Sequence, residues 1–195
     1  MSVIARASLV EYFKDQLEGA LAQQRVPVHA DTAHYVVQLL ADTMRHDRHG
    51  RAAALLDPRP LALRLAAAMD DGCPAPGQAL RDVADAALLL GGYFSSRASS
   101  ARSLPATYYH RVGGFAYSTL GQESQVLAPI FKDLASRFAQ YADALGEVGQ
   151  RAEMQTPAGL VRALEAWQRS GNRVTERLLV ERGVVLGRGQ NVRLQ

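Results

Sequence analysis

Apolar residues recur along most of this chain at intervals of three and four positions, the spacing that brings them to one side of an α-helix. Near the N-terminus, for example, Phe13, Leu17 and Leu21 form one such stripe. No segment shows the alternation of apolar and polar residues that is typical of a half-buried strand. The pattern therefore predicts an all-α protein.

Turn residues and helix-starting prolines divide this pattern into seven or eight helices. Pro58, Pro105 and Pro157 each fit the first turn of a predicted helix, where the missing amide hydrogen has no cost. Residues 86–90 are apolar on all sides, so we expect their helix at the centre of the fold. We predict a single compact bundle, one domain over residues 1–186, followed by a flexible or docking tail over residues 187–195.

The most regular pattern lies in the predicted helix over residues 127–148, where the apolar positions are separated alternately by four and three residues. A mean spacing of 3.5 residues is typical of the seam of a left-handed bundle or coiled coil. The pattern favours a seam that faces the rest of the same chain. A homodimer stays open as the alternative, through Leu127, Phe131, Leu134, Phe138, Tyr141 and Leu145.

The chain has no feature that directs it to a membrane. No apolar run among its 195 residues reaches the roughly 18 residues that a bilayer-crossing helix needs. The N-terminus lacks an apolar run followed by a small-residue cleavage site, which disfavours a secretory signal. We therefore expect a cytoplasmic protein.

The net charge and the single cysteine exclude only a few classes of function. The net charge of +3 is too small to indicate nucleic-acid binding, and the near absence of lysine, which occurs only at Lys14 and Lys132, is typical of a GC-rich bacterial genome. The single cysteine, Cys73, excludes a disulfide within the chain and a cysteine-based zinc site. Because Cys73 lies in a turn rich in glycine and proline, an incidental cysteine is favoured over a reactive thiol.

Known catalytic motifs are absent from the sequence. It contains no Gly-x-Ser-x-Gly nucleophile motif and no glycine-rich phosphate loop. The pairs Gly91-Gly92 and Gly113-Gly114 lie within helical patterns, and they predict places where two helices approach each other closely. An enzyme is therefore disfavoured, and no cofactor is predicted.

A metal site is the main alternative for the histidines. Asp42 and His46 lie one helical turn apart and could bind the same ion, with Glu11 or Glu18 as further ligands from the first helix. Helical di-metal sites usually also carry a Glu-x-x-His motif, which does not occur here. A solvent-exposed polar cluster at the end of a helix is the favoured interpretation of these residues.

The run Tyr108-Tyr109-His110-Arg111 is the most unusual cluster in the chain. Consecutive helical residues diverge by about 100°, so these four large side chains cannot all face the core. We expect Tyr108 to share a core face with Val112 and Phe115, whereas Tyr109 and His110 lie partly outward or line a cleft. Tyrosine packing at the rim of the bundle is the favoured interpretation, and contact with a ligand or partner is the alternative. With the basic loop before it, the cluster gives the candidate partner- or ligand-binding residues Tyr109, His110, Arg111, Arg97 and Arg102.

Residues 160–182 resemble the outline of a helix-turn-helix, with Arg173 and Arg177 one turn apart on the second helix. The same segment contains Glu165, Glu176 and Glu181. Salt bridges within the chain therefore explain these arginines better than DNA binding does.

We expect an adaptor-like interaction or regulatory protein that binds another protein through exposed aromatic and arginine side chains. A helical enzyme that depends on a small ligand or a metal is the first alternative, and DNA binding through the last two helices is the second.

Overall fold

A computed structural model describes residues 3–45, 57–96 and 104–186, with side chains from residue 9 onwards. Within these ranges the chain forms nine helices and no strand, which confirms the all-α prediction. The helices are α1 (Val3–Gln23), α2 (Ala30–Met44), α3 (Leu61–Ala68), α4 (Pro76–Gly91), α5 (Ala106–Glu123), α6 (Ala128–Ser136), α7 (Phe138–Glu153), α8 (Pro157–Ser170) and α9 (Arg173–Glu181). None of these helices is long and apolar enough to span a bilayer.

The number of helices exceeds the expected seven or eight because the regular pattern over residues 127–148 is divided into α6 and α7. Arg137 separates them, with backbone angles of φ −119° and ψ 24°. Its guanidinium donates hydrogen bonds to Oδ1 of Asp133 at 2.9 Å and to the carbonyl oxygen of Pro27 at 3.1 Å. The prediction of one continuous helix was wrong at this residue, because the spacing of apolar positions does not report the backbone angles between them.

The contacts of the chain group its residues into two compact units, Met1–Gly149 and Gln150–Gln195, and the boundary falls inside α7. The sequence pattern had predicted one bundle domain over residues 1–186. The predicted tail, residues 187–195, lies outside the described residues.

Helix α4 is buried over residues 83–89, as its apolar sequence predicted. Leu80 and every residue from 83 to 89 are buried, including one carboxylate, Asp85. A helix buried on so many sides must be surrounded by other helices, and α5 lies directly against it.

The regular apolar seam of α6 and α7 faces its own chain. All of its members except the half-buried Leu127 are buried, and the ring of Phe131 contacts the rings of Tyr35 and Tyr117 at centroid distances of 5.8 and 5.9 Å. The burial agrees with the intramolecular alternative. These side chains are already occupied, so they do not offer the surface that the homodimer alternative requires.

Glycine allows α5 to pack closely on its neighbours. A methyl group added to Gly113 would meet the ring of Phe138 and the side chain of Ala87, and one added to Gly91 would lie 2.8 Å from Cβ of Tyr109. The expected close approach therefore occurs. Gly113 and Gly91 each face a side chain of a neighbouring helix, however, and the pairs Gly91-Gly92 and Gly113-Gly114 do not face each other.

In the second unit, α8 and α9 form a hairpin around a small core of Met154, Leu178 and Leu179. Gly171 ends α8 with φ 62°, a conformation that glycine adopts without strain. Asn172 then caps α9, since its Oδ1 accepts hydrogen bonds from the amides of Val174 and Thr175. The predicted helix, turn and helix are confirmed at this place.

Candidate functional site

The structure places three of the five candidate binding residues, while Arg97 and Arg102 lie outside the described residues. Tyr109 is half-buried and packs against Gly91, and burial, with a smaller contribution from Tyr108, raises its pKa. His110 is also half-buried, with its ring 5.6 Å from that of Phe138. Arg111 is exposed. Tyr109 and His110 thus pack within the chain, and Arg111 faces solvent.

Helix α5 is rotated relative to the expectation from sequence. Val112 is buried as predicted, but Phe115 is 48% exposed, so the predicted core face of Tyr108, Val112 and Phe115 was wrong at Phe115. The true inner face contains the small residues Gly113 and Ala116, both buried. Glycine and alanine mark the positions where neighbouring helices approach closely, and a search that counts only large apolar side chains does not detect them.

The outer face of α5 consists of exposed residues spaced by four, three and four positions: Arg111, Phe115, Ser118 and Gln122. Two exposed leucines occur near its beginning. Leu104, just before α5, is 50% exposed, and Leu63 on α3 is 63% exposed. The Tyr108 hydroxyl accepts a 3.1 Å hydrogen bond from the amide of Ala62, which holds the start of α3 against the start of α5.

A second candidate site is a buried polar cluster that connects α2, α4 and α5. The carboxylate of Asp85, 3% exposed, accepts hydrogen bonds on Oδ1 from the hydroxyls of Tyr35 and Tyr117, each at 2.7 Å. Such a carboxylate is tolerated in the interior only when it is paired. Sequence reasoning missed this cluster, although a lone acid within the apolar run of α4 was an available signal.

Arg81 completes the cluster from one turn earlier on α4. Its Nε donates a 2.9 Å hydrogen bond to the Tyr35 hydroxyl and lies 3.9 Å from Oδ2 of Asp85, and its guanidinium carbon stands 5.0 Å from the centre of the Tyr35 ring. Burial by itself would lower the pKa of Arg81. Tyr35, Asp85 and Tyr117 together outweigh that effect and raise the pKa, so the guanidinium stays charged.

Arg81 also lines a cavity of about 380 Å³. The apolar part of the wall is formed by Leu120, Leu127 and Phe131, and Glu123 is the acidic residue of the wall. Small-molecule sites usually enclose about 300–1,000 Å³ and combine an apolar wall with a few polar groups. The volume of this cavity is within that range and its wall has both apolar and polar residues, although the cavity is largely open to solvent.

A further polar cluster supports the junction of α6 and α7. Asp133 accepts hydrogen bonds from the Tyr141 hydroxyl at 2.9 Å and from Arg137 at 2.9 Å, and the exposed His29 lies 3.9 Å from the same carboxylate. Burial, and then the hydrogen bond to Asp133, raise the pKa of Tyr141 well above its ordinary value. These contacts explain the helix junction structurally.

The alternative sites that the sequence suggested gain no support from the described residues. Asp42 is paired with Arg45 at 2.9 Å, and His46 lies outside the described residues. No group of three His, Cys, Asp or Glu side chains in the described ranges is arranged to hold a metal ion. Cys73 is half-buried beside a larger cavity, of about 610 Å³, that also contains the buried Arg64.

Several arginines of the second unit are engaged in ion pairs within that unit. Arg162 lies 2.7 Å from Glu153, whereas Arg151 and Arg177 lie 3.6 and 3.8 Å from the two carboxylate oxygens of Glu181. These contacts agree with the interpretation as intramolecular salt bridges, which the sequence favoured over DNA binding.

The chain matches no protein-family model, no curated protein and no solved structure.

Proposed function

We propose that this protein binds another protein through the outer face of α5, with Arg111 and Phe115 at the centre of the contact. The observation that carries the proposal is the 48% exposure of Phe115, two residues from the fully buried Tyr117. A large aromatic side chain in solvent adds little to the stability of the fold. Aromatic residues and arginine are enriched among the residues that dominate binding energy at protein interfaces.

The chemistry of this surface specifies the partner in part. Arg111 lies one helical turn before Phe115, and its side chain is exposed. Leu104 and Leu63 add apolar surface near the beginning of the same helix. A matching partner offers an apolar pocket for Phe115 and a carboxylate beside it for Arg111, since arginine binds carboxylates through two parallel hydrogen bonds.

The other candidates from the sequence have different roles in this proposal. Tyr109 and His110 pack behind the surface and hold α5 in its orientation. Arg97 and Arg102 precede Leu104 in the sequence, and they stay candidate contacts for an acidic partner. The proposal therefore depends on Arg111 and Phe115 and not on the full predicted set.

Site-specific crosslinking tests this proposal. A photoreactive amino acid replaces Phe115 in one variant and the exposed Lys14 of α1 in a control variant. A discrete partner that crosslinks at position 115 and not at position 14 is then purified. Its affinity for the wild-type protein should weaken about tenfold or more, or about 1.4 kcal/mol, in Phe115→Ala and in Arg111→Glu. Equal crosslinking at both positions, or unchanged affinity of both variants, would overturn the proposal.

A further inference from the structure

The geometry points to a binding site for a small organic carboxylate in the cavity beside Arg81, with the ligand's carboxylate on the guanidinium and its apolar part against Leu127 and Phe131. This site is separate from the outer face of α5. It uses the buried cluster of Asp85, Tyr35 and Tyr117, which the proposed protein contact does not involve.

The guanidinium of Arg81 is held in a fixed position by groups behind it. Nε is engaged by the Tyr35 hydroxyl, which itself donates to Asp85, and Tyr117 donates to the same carboxylate oxygen. The terminal nitrogens of Arg81 make no hydrogen bond to any residue that the structure describes, although Arg81 is part of the cavity wall. A charged group that is fixed before binding loses little conformational entropy when a ligand arrives.

The rest of the cavity favours an anion with a compact apolar body. Leu120, Leu127 and Phe131 form the apolar part of the wall, and about 380 Å³ is available. Gly77 and Gln78, in the first turn of α4, form part of the wall near Arg81, and no side chain caps this end of α4. The backbone amides of an uncapped first turn favour negative charge, which adds to the attraction of Arg81.

Glu123 determines which charged groups the ligand can have besides its carboxylate. Its exposed carboxylate belongs to the same wall and repels a second negative charge, so we infer a ligand with one carboxylate. An amino group on the ligand would be favourable near Glu123. Simple carboxylates and amino acids therefore share the chemistry that the cavity requires, and an experiment can distinguish them.

The test is an NMR titration of the intact protein with isovalerate, with valine, which has the same carbon skeleton plus an amino group, and with inorganic phosphate. We expect isovalerate or valine to shift the Nε–H signal of Arg81 and the methyl signals of Leu127 saturably, while the Nε–H signal of Arg111 stays unchanged. Tighter binding of valine would assign Glu123 to the amino group, and tighter binding of isovalerate would assign a simple carboxylate.

Two variants separate binding from folding. Arg81→Gln should weaken the affinity about tenfold or more, but it also removes the hydrogen bond to Tyr35. Leu127→Trp fills the cavity from its apolar wall and changes no residue of the buried cluster, so it should abolish the shifts while the Arg81 signal persists. Arg25→Gln, in the exposed turn after α1, is the matched control and should bind like the wild type. Absent or non-saturable shifts, binding of phosphate alone, or unchanged binding in Leu127→Trp would overturn the inference.

Discussion

Tyr117 on α5 donates a 2.7 Å hydrogen bond from its hydroxyl to Oδ1 of Asp85 on α4, and both side chains are buried. This contact determines which side of α5 faces inward, because a carboxylate in the interior must keep its hydrogen-bond donors. Phe115 lies two residues earlier, about 200° around the helix, and therefore points to solvent. The buried cluster and the proposed binding surface are thus connected through the rotation of one helix.

Removing the hydroxyl of Tyr117 should destabilise the protein. Tyr117→Phe leaves the ring packing in place but removes a hydrogen bond to a charged, buried group, which is worth about 1.5–3 kcal/mol. Urea unfolding should show this loss. Tyr108→Phe is the control, because its hydroxyl only accepts one bond from an exposed amide, and it should lose less than about 1 kcal/mol. Equal losses in the two variants would contradict the role of the cluster.

Two adjacent glycines of α5 should respond in opposite ways to alanine. Gly113→Ala forces a methyl group against Phe138 and Ala87, and overpacking of this kind costs about 1–3 kcal/mol. Gly114→Ala has only the carbonyl oxygen of Ala135 near the new methyl group, at 3.9 Å, and should gain up to about 1 kcal/mol of helix propensity. Thermal unfolding of both variants measures the difference. The same sign for both would show that α5 does not pack through Gly113.

Alanine substitutions should distinguish the residues of the cluster over positions 108–111 that stabilise the fold from those that are exposed. Tyr109→Ala removes a half-buried ring from its contact with Gly91 and should cost about 2 kcal/mol, roughly half of the loss for a fully buried aromatic residue. Arg111→Ala should change the free energy of unfolding by less than about 0.5 kcal/mol, since it is a surface substitution. Chemical denaturation can compare them directly. If Arg111→Ala were the more destabilising variant, its assignment to a binding surface would fail.

Asp57 and Asp143 should titrate on opposite sides of the ordinary aspartate pKa of 3.8. Hydrogen bonds from the Arg59 side chain, at 2.7 and 3.1 Å, hold the pKa of Asp57 well below that value. Partial desolvation by neighbouring residues raises the pKa of the otherwise exposed Asp143, and His110 offsets part of this increase. As pH falls, Asp143 should therefore protonate before Asp57 in an NMR titration of the carboxyl carbons.

The shifted pKa values of Asp57 and Asp143 determine how the stability of the fold changes with pH. Because the pKa of Asp57 is lower in the folded state, its ionised form stabilises the fold above pH 3.8, and this contribution is lost as the pH falls towards the lowered pKa. The raised pKa of Asp143 has the opposite effect, since its ionised form disfavours folding and protonation removes that cost. Arg59→Gln should bring the pKa of Asp57 back towards 3.8, and an unchanged Asp57 titration would contradict the assigned cause.

Much of the local structure could be predicted because its causes are close together in the sequence. The prolines at positions 105 and 157 lie at the starts of α5 and α8, the turn at Gly171 and Asn172 separates α8 from α9, and the apolar run of α4 is buried. In each case the controlling interaction is a hydrogen bond within a few residues or a hydrophobic pattern within one helix.

The candidate sites were harder to predict because their residues are distant in the sequence. Asp85 meets Tyr35 and Tyr117 across separations of 50 and 32 residues, and no periodicity within one helix reports such a contact. The rotation of α5 was also hidden, since part of its inner face consists of the small residues Gly113 and Ala116, which a search for large apolar residues does not count.

The sequence by itself determined the helical class, the approximate position of the helices and the burial of the apolar run of α4, because helix propensity, capping and apolar spacing act over one or two turns. Only the tertiary structure decided that Phe115 faces solvent, that Arg137 divides a regular seam, and that Arg81 is held beside a cavity. These features depend on which helices approach closely enough to exclude water, and that choice is made by packing between residues far apart in the chain.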